Sequence, residues 1–153
     1  MAMMDTALAL AQSICWDEGY GYREGGHAAS YSDGVDCGGL VFHCLNAAGY
    51  AVSDTSPGVR NMNGILSGIG FQVFQYSGNV SDLRHGDIIT MVHYEGGVVI
   101  AGHTTFIAEN IAAYSDPSAD SDNLRSLCFF SCPPQECLQT PKHTDFVCLS
   151  VCL

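Results

Sequence analysis

Basic side chains are scarce in this sequence. Five Lys and Arg face 16 Asp and Glu over 153 residues, for a formal charge of −11. A surface of that sign repels phosphate backbones and anionic headgroups, so neither nucleic acid nor a membrane surface is expected as a partner. Long apolar runs are missing too, and no stretch approaches the roughly 20 residues a bilayer-spanning helix needs. The opening run MAMMDTALALAQSIC has no basic residue ahead of its apolar part, and Asp5 sits where a signal peptide carries positive charge. It is expected to be an ordinary first helix. Charged residues of all kinds make up only 14% of the chain, against 47% hydrophobic, a composition that folds rather than stays disordered.

Cysteine, by contrast, is abundant, with eight in the chain. Cys15, Cys37 and Cys44 lie in the first half. Cys128, Cys132, Cys137, Cys148 and Cys152 crowd the last part. Without a secretion signal, free thiols are expected rather than a disulfide framework. The late group lacks the tight spacing of a zinc knuckle. Core thiols are the expectation there, with a disulfide or a zinc site as the alternative, and no metal or cofactor is assigned.

The hydrophobic period divides the chain. Residues 4 to about 16 have helical spacing, with Ala7, Leu8, Ala11 and Ile14 on one face. A long glycine- and tyrosine-rich loop follows, of a kind often functional in compact domains. A second helix is predicted from Cys37 to Ala48, with Leu40, Val41, Cys44, Leu45 and Ala48 as its stripe. Asp36 is its N-cap and Gly49 its stop. A third helix is predicted near 59–68, with Met62, Ile65, Leu66 and Ile69 inward. The period then changes to two. GFQVFQY, GDIITMVHY, GGVVIAGHTTFIA, NIAAYS, LCFFSC and DFVCLSVCL read as strands, with turns at EGG (95–97) and at Glu109-Asn110. Helices first and an antiparallel sheet afterwards spell α+β. No linker or repeat divides residues 1–153, so a single domain, acting as a monomer, is expected.

Within this frame Cys37 stands out. A thiol is nucleophilic as thiolate, and the N–H groups at a helix start lower its pKa. Gly38 and Gly39 behind it are expected to leave room for a substrate, and the backbone N–H groups there to act as an oxyanion hole. A buried helix-start thiol is the alternative reading. Among six histidines, His103 sits after a glycine within an apolar strand, where burial requires a hydrogen-bonding partner. It is the candidate base, with a hydrogen-bonded core histidine as the alternative reading. His93, beside a turn, competes with it, and His43 falls on the polar side of its helix. His27, His85 and His143 fall in loops.

The ordered set YGYREGG, YSDGVDCGGLVFHCLNAAGY, VRNMNGILSGIGF and LRHGDIITMVHYEGGVVIAGHTTFIA resembles the NlpC/P60 cysteine peptidases, particularly those of phage endolysins. The likeness spans roughly residues 5 to 116. It implies a papain-like core with Cys37 as nucleophile and His103 as general base. It also implies cleavage of bacterial peptidoglycan stem peptides, commonly between D-glutamate and a diamino acid. Some relatives cut the amide between muramic acid and L-alanine instead, and a non-catalytic wall-binding or thiol-redox module on the same fold is a further reading. Action on a bacterial wall outside the producing compartment follows from the first two. Tyr22 matches the loop tyrosine that contacts substrate, with Tyr20 and Tyr31 as alternatives. Asp36 matches the residue that binds the substrate's free amine, besides its role as a cap.

Two features depart from the family pattern. Gly38 stands where serine is usual, at a position associated with substrate contact. The family places a polar residue, often histidine, on the strand after the base to orient the imidazole, and the stretch IAENIAAYSDPS has no histidine. A two-residue turn at Glu109-Asn110 sets Asp116 opposite His103, and a three-residue turn sets Ser115 there. A carboxylate pairs better with an imidazolium, which favours Asp116. That residue also reads as a turn position ahead of Pro117.

Overall fold

The computed structural model describes residues 2–15, 21–26, 34–76, 82–108 and 146–152. Three helices come first: α1 (Met3–Cys15), α2 (Cys37–Ala47) and α3 (Val59–Gly68). Four strands follow: β1 (Gln72–Gln75), β2 (Ile88–Glu95), β3 (Val98–Phe106) and β4 (Phe146–Cys152). The strands form one antiparallel sheet in the order β1-β4-β2-β3. The α+β class expected from the change of period is therefore what the chain adopts.

The helices bury the stripes their spacing marks. On α1 these are Met4, Ala7, Leu8, Ala11 and Ile14. On α2, Leu40, Val41, Cys44 and Leu45 are joined by Phe42, which is 1% exposed and lies off the expected stripe. A helix covered on more than one side buries more than one face. On α3 the buried pair is Met62 and Leu66, one turn apart. Ile65, expected inward, is 38% exposed: it lies on the flank of the stripe that Met62 and Leu66 bury, about 80° from that stripe's centre at 100° per residue. These residues form one core with Val52, Phe71, Ile88 and Phe106.

Alternation assigns the two sheet faces. Ile88 belongs to the helix-side core, and the Thr90 hydroxyl donates to Asn63 Oδ1 of α3 at 3.0 Å. Gly102, opposite Val92, backs onto Val59 of α3. The other face carries a smaller cluster of Leu83, Ile89 and Ile107, with Tyr76 and Met91 against it. Between β2 and β3 the turn at EGG forms as expected. Gly96 and Gly97 have φ of 57° and 79°, and a two-residue turn with both central residues left-handed matches the strand twist. The expected strands at NIAAYS and LCFFSC, the turn at Glu109-Asn110, and Asp116 with Ser115 lie outside the described residues.

Candidate active site

Asp36 organises the start of α2. It caps the helix from an extended backbone, accepting from the Gly39 N–H at 2.6 Å. Its carboxylate also accepts from the Gly25 N–H at 2.9 Å and from the Ser56 hydroxyl at 2.7 and 2.6 Å. One carboxylate thus ties together three segments: the loop at 21–26, the helix start, and the loop before α3. Charge-assisted bonds of this kind are the stronger class. The cap reading of Asp36 holds. Ser56 gave no sequence signal, since a serine before Pro57 reads only as a turn residue.

Tyr22 is brought to the same corner. It forms an isolated parallel bridge with Val35, supported by Val35 N–H donating to Gly21 O at 2.9 Å. Tyr22 is 40% exposed. Tyr20 and Tyr31 lie outside the described residues.

Gly38 departs from expectation. It is buried, and a Cβ built there would lie 2.8 Å from the carbonyl oxygen of Pro57, with Asp36 Oδ1 and Ser56 Oγ at 3.6 Å. The space beside it is filled by the loop before α3 and is not open to a substrate. This accounts for glycine where the resembling family carries serine: a side chain would strike a backbone atom that is itself tied down by the Asp36–Ser56 bonds.

Cys37, the first residue of α2, is 6% exposed and lies against β3. The N–H of Ile107 donates to Asp87 O at 2.8 Å, which sets the alternation of the β2–β3 ladder. Thr90 and Thr104 are then a pair without mutual backbone bonds, and the Thr104 N–H points away from β2. That N–H meets the sulfur of Cys37. The nucleophile candidate therefore touches the strand at the residue following His103. His103 is partly buried and stands opposite Met91.

The electrostatics correct one expectation. Burial pushes the Cys37 thiol up from the ordinary value, and the charge of Asp36 pushes the same way. The N–H groups of Thr104 and Gly38 pull it down without prevailing. Position at a helix tip does not by itself ionise this sulfur, because the charged form loses more hydration there than the N–H dipoles return. Burial also lowers the pKa of His103, favouring neutral imidazole, the form a base requires. Cys15 and Cys44 are held neutral by burial, their thiols pushed up to about 11 and about 12.

Other histidines have structural partners. His43, expected on the polar side of α2, is half-buried and places Nδ1 3.1 Å from Asp54. His85 spans Asp5 and the carbonyl of Ala108. Among the described residues no group of three or more His, Cys, Asp or Glu is placed to hold a metal ion. No protein-family model and no curated protein sequence matches the chain.

Proposed function

We propose that the protein is a cysteine peptidase of the NlpC/P60 type that cleaves peptidoglycan stem peptides, at the bond between D-glutamate and a diamino acid. The observation that supports this reading is the seating of Cys37. A capped helix start holds its sulfur against the Thr104 N–H at the edge of β3, the strand that also carries His103, whose imidazole burial keeps neutral. Two residues far apart in the chain and suited to one reaction are carried on adjoining elements.

The protonation states define the chemistry. Near neutral pH the pair is a thiol and a neutral imidazole, so proton transfer accompanies attack rather than preceding it. The Sγ–H proton passes to His103 as the S–C bond forms, and the carbonyl oxygen takes the negative charge. The oxyanion hole expected at Gly38 and Gly39 is not what the head of α2 offers, because the Gly39 N–H is held by the Asp36 cap and the Gly38 N–H by the Cys37 sulfur. Collapse of the charged species breaks the C–N bond, and His103 returns the proton to the leaving amine. Water, deprotonated by His103, then hydrolyses the thioester to a carboxylic acid and the free thiol.

Digestion of purified muropeptides followed by mass spectrometry tests the reading, since product masses identify the bond and separate an endopeptidase from an amidase. Cys37→Ala and His103→Gln should each lower the rate by about 10³-fold or more. Retained cleavage by Cys37→Ala refutes the assignment. The burial that raises the Cys37 thiol favours a second reading, a non-catalytic module with an inert core thiol. In that case neither variant changes anything, and the native protein releases no products.

A further inference from the structure

Burial along β3 changes between Thr104 and Gly102. Thr104, Thr105 and Phe106 are buried, whereas Gly102 and Ala101 are exposed and Val98 is 63% exposed. Among the described strands β3 is an edge, with β2 on one side only. Its other side is covered at Thr104, whose N–H meets the Cys37 sulfur, and opens at Gly102.

The ladder fixes which groups face that opening. Gly102 stands opposite Val92, two residues along from the pair Thr90 and Thr104. Antiparallel pairs alternate, so its N–H and C=O, like the Thr104 N–H, point away from β2. Among the described residues no other group bonds to either. A main-chain donor and acceptor thus stand about 7 Å along the strand from the residue that touches the sulfur. Glycine keeps this stretch bare. Val59 of α3 lies 3.1 Å from where a side chain at 102 would begin, so β3 sits close under the helix with nothing projecting beside the edge.

An unpaired donor and acceptor on a strand edge are a template for an added strand, and an extended peptide carries the complementary pair. The edge runs on directly from Cys37, so the occupant it fits is the peptide whose carbonyl that sulfur attacks. We infer that Gly102 docks the substrate: its N–H donates to, and its C=O accepts from, one residue of the bound peptide, laid along β3 as an added strand. A carbonyl about two residues from the paired one then reaches the Cys37 sulfur. The inference rests on the peptidase reading for the identity of the peptide.

The test uses the Cys37→Ala protein and a synthetic stem tetrapeptide. On that background Gly102→Ala keeps the outward N–H and Gly102→Pro removes it. Both add a Cβ, and proline at an outward edge position costs the ladder no bond. By titration calorimetry the proline variant should bind about three- to tenfold more weakly than the alanine variant. Exchange of the Gly102 amide hydrogen in the Cys37→Ala protein should be fast without peptide and slowed about tenfold or more by saturating peptide, a readout that decides the matter if the proline variant does not fold. Equal affinities, no binding of the peptide, or an amide already protected in the free protein, as a second copy seated on the edge would make it, overturns the inference. Cleavage by the native protein is scored separately. Pairing without cleavage keeps the docking edge and refutes the peptidase, whereas cleavage with affinity and exchange unaffected does the reverse.

Discussion

Two glycines in helices of this protein should answer the same substitution with opposite signs. Gly64 lies within α3, exposed, with no atom within 4 Å of a built Cβ. Alanine there gains helix propensity and restricts the unfolded chain, for a stabilisation of about 0.5–1 kcal/mol. Gly38, the second residue of α2, would bring its Cβ to 2.8 Å from Pro57 O. That oxygen is backbone, and the neighbouring Ser56 is bonded to the Asp36 cap, so relief by side-chain rotation is closed. Overpacking of this kind costs about 1–3 kcal/mol, and displacing the cap adds about 1 kcal/mol, against a propensity gain of less than about 1 kcal/mol. The net loss at Gly38→Ala is about 1–3 kcal/mol. At about 2–4 °C per kcal/mol for a chain of this size, its melting temperature should fall by about 3–10 °C while that of Gly64→Ala rises by about 2–3 °C. Urea unfolding with an unchanged m-value confirms that the native state is what moved. A Gly38→Ala protein as stable as Gly64→Ala would refute the packing account of this glycine. Gly38→Ser, which supplies the residue the resembling family favours, should be at least as destabilised as alanine.

Other outcomes follow from the same geometry. Asp36→Ala removes acceptors for Gly39, Gly25 and Ser56 and should cost about 2–3 kcal/mol in urea unfolding, whereas Asp36→Asn should retain part of the cap; equal losses would show that the carboxylate's bonds do not matter. Alkylation of Cys37 by iodoacetamide should be slow at mildly acidic pH and still be accelerating above the ordinary thiol value of 9.0, and a plateau below neutrality would contradict the burial effect. Stability should be flat between about pH 6.5 and 9. Below the ordinary imidazole value of 6.5 the unfolded chain takes up a proton that buried His103 resists, so stability falls as pH falls. Above 9.0 the unfolded chain ionises thiols that Cys15 and Cys44 keep protonated, so stability falls as pH rises. Thr90→Val leaves Asn63 Oδ1 without its donor and should cost about 1–2 kcal/mol in the same unfolding assay; no loss would mean that the bond is not formed in solution.

Local patterns were legible in the sequence. The spacing of Ala7, Leu8, Ala11 and Ile14, the Asp36 cap and the paired glycines at 96 and 97 each encode their structure within a few residues, and each formed as expected. What could not be read was set by contacts between distant segments. Gly38 is closed by Pro57, and Phe42 and His43 are covered by neighbours that helical periodicity does not reveal. The Cys37 thiol followed the same rule. Its helix position is local and visible, but its burial under the sheet edge is not, and burial dominates. The open edge at Gly102 exists only once β3 lies beside β2 and α2 covers Thr104, so no motif announces it.

The strand order carries a consequence for biosynthesis. Of the described strands β4 comes latest in the chain, yet it lies inside the sheet, between β1 and β2. Among the described strands, β2 lacks one of its two neighbours and β1 its partner until β4 has left the ribosome. The nascent protein therefore passes through an interval with two adhesive strand edges, in which holdase chaperones or self-association compete with completion of the fold.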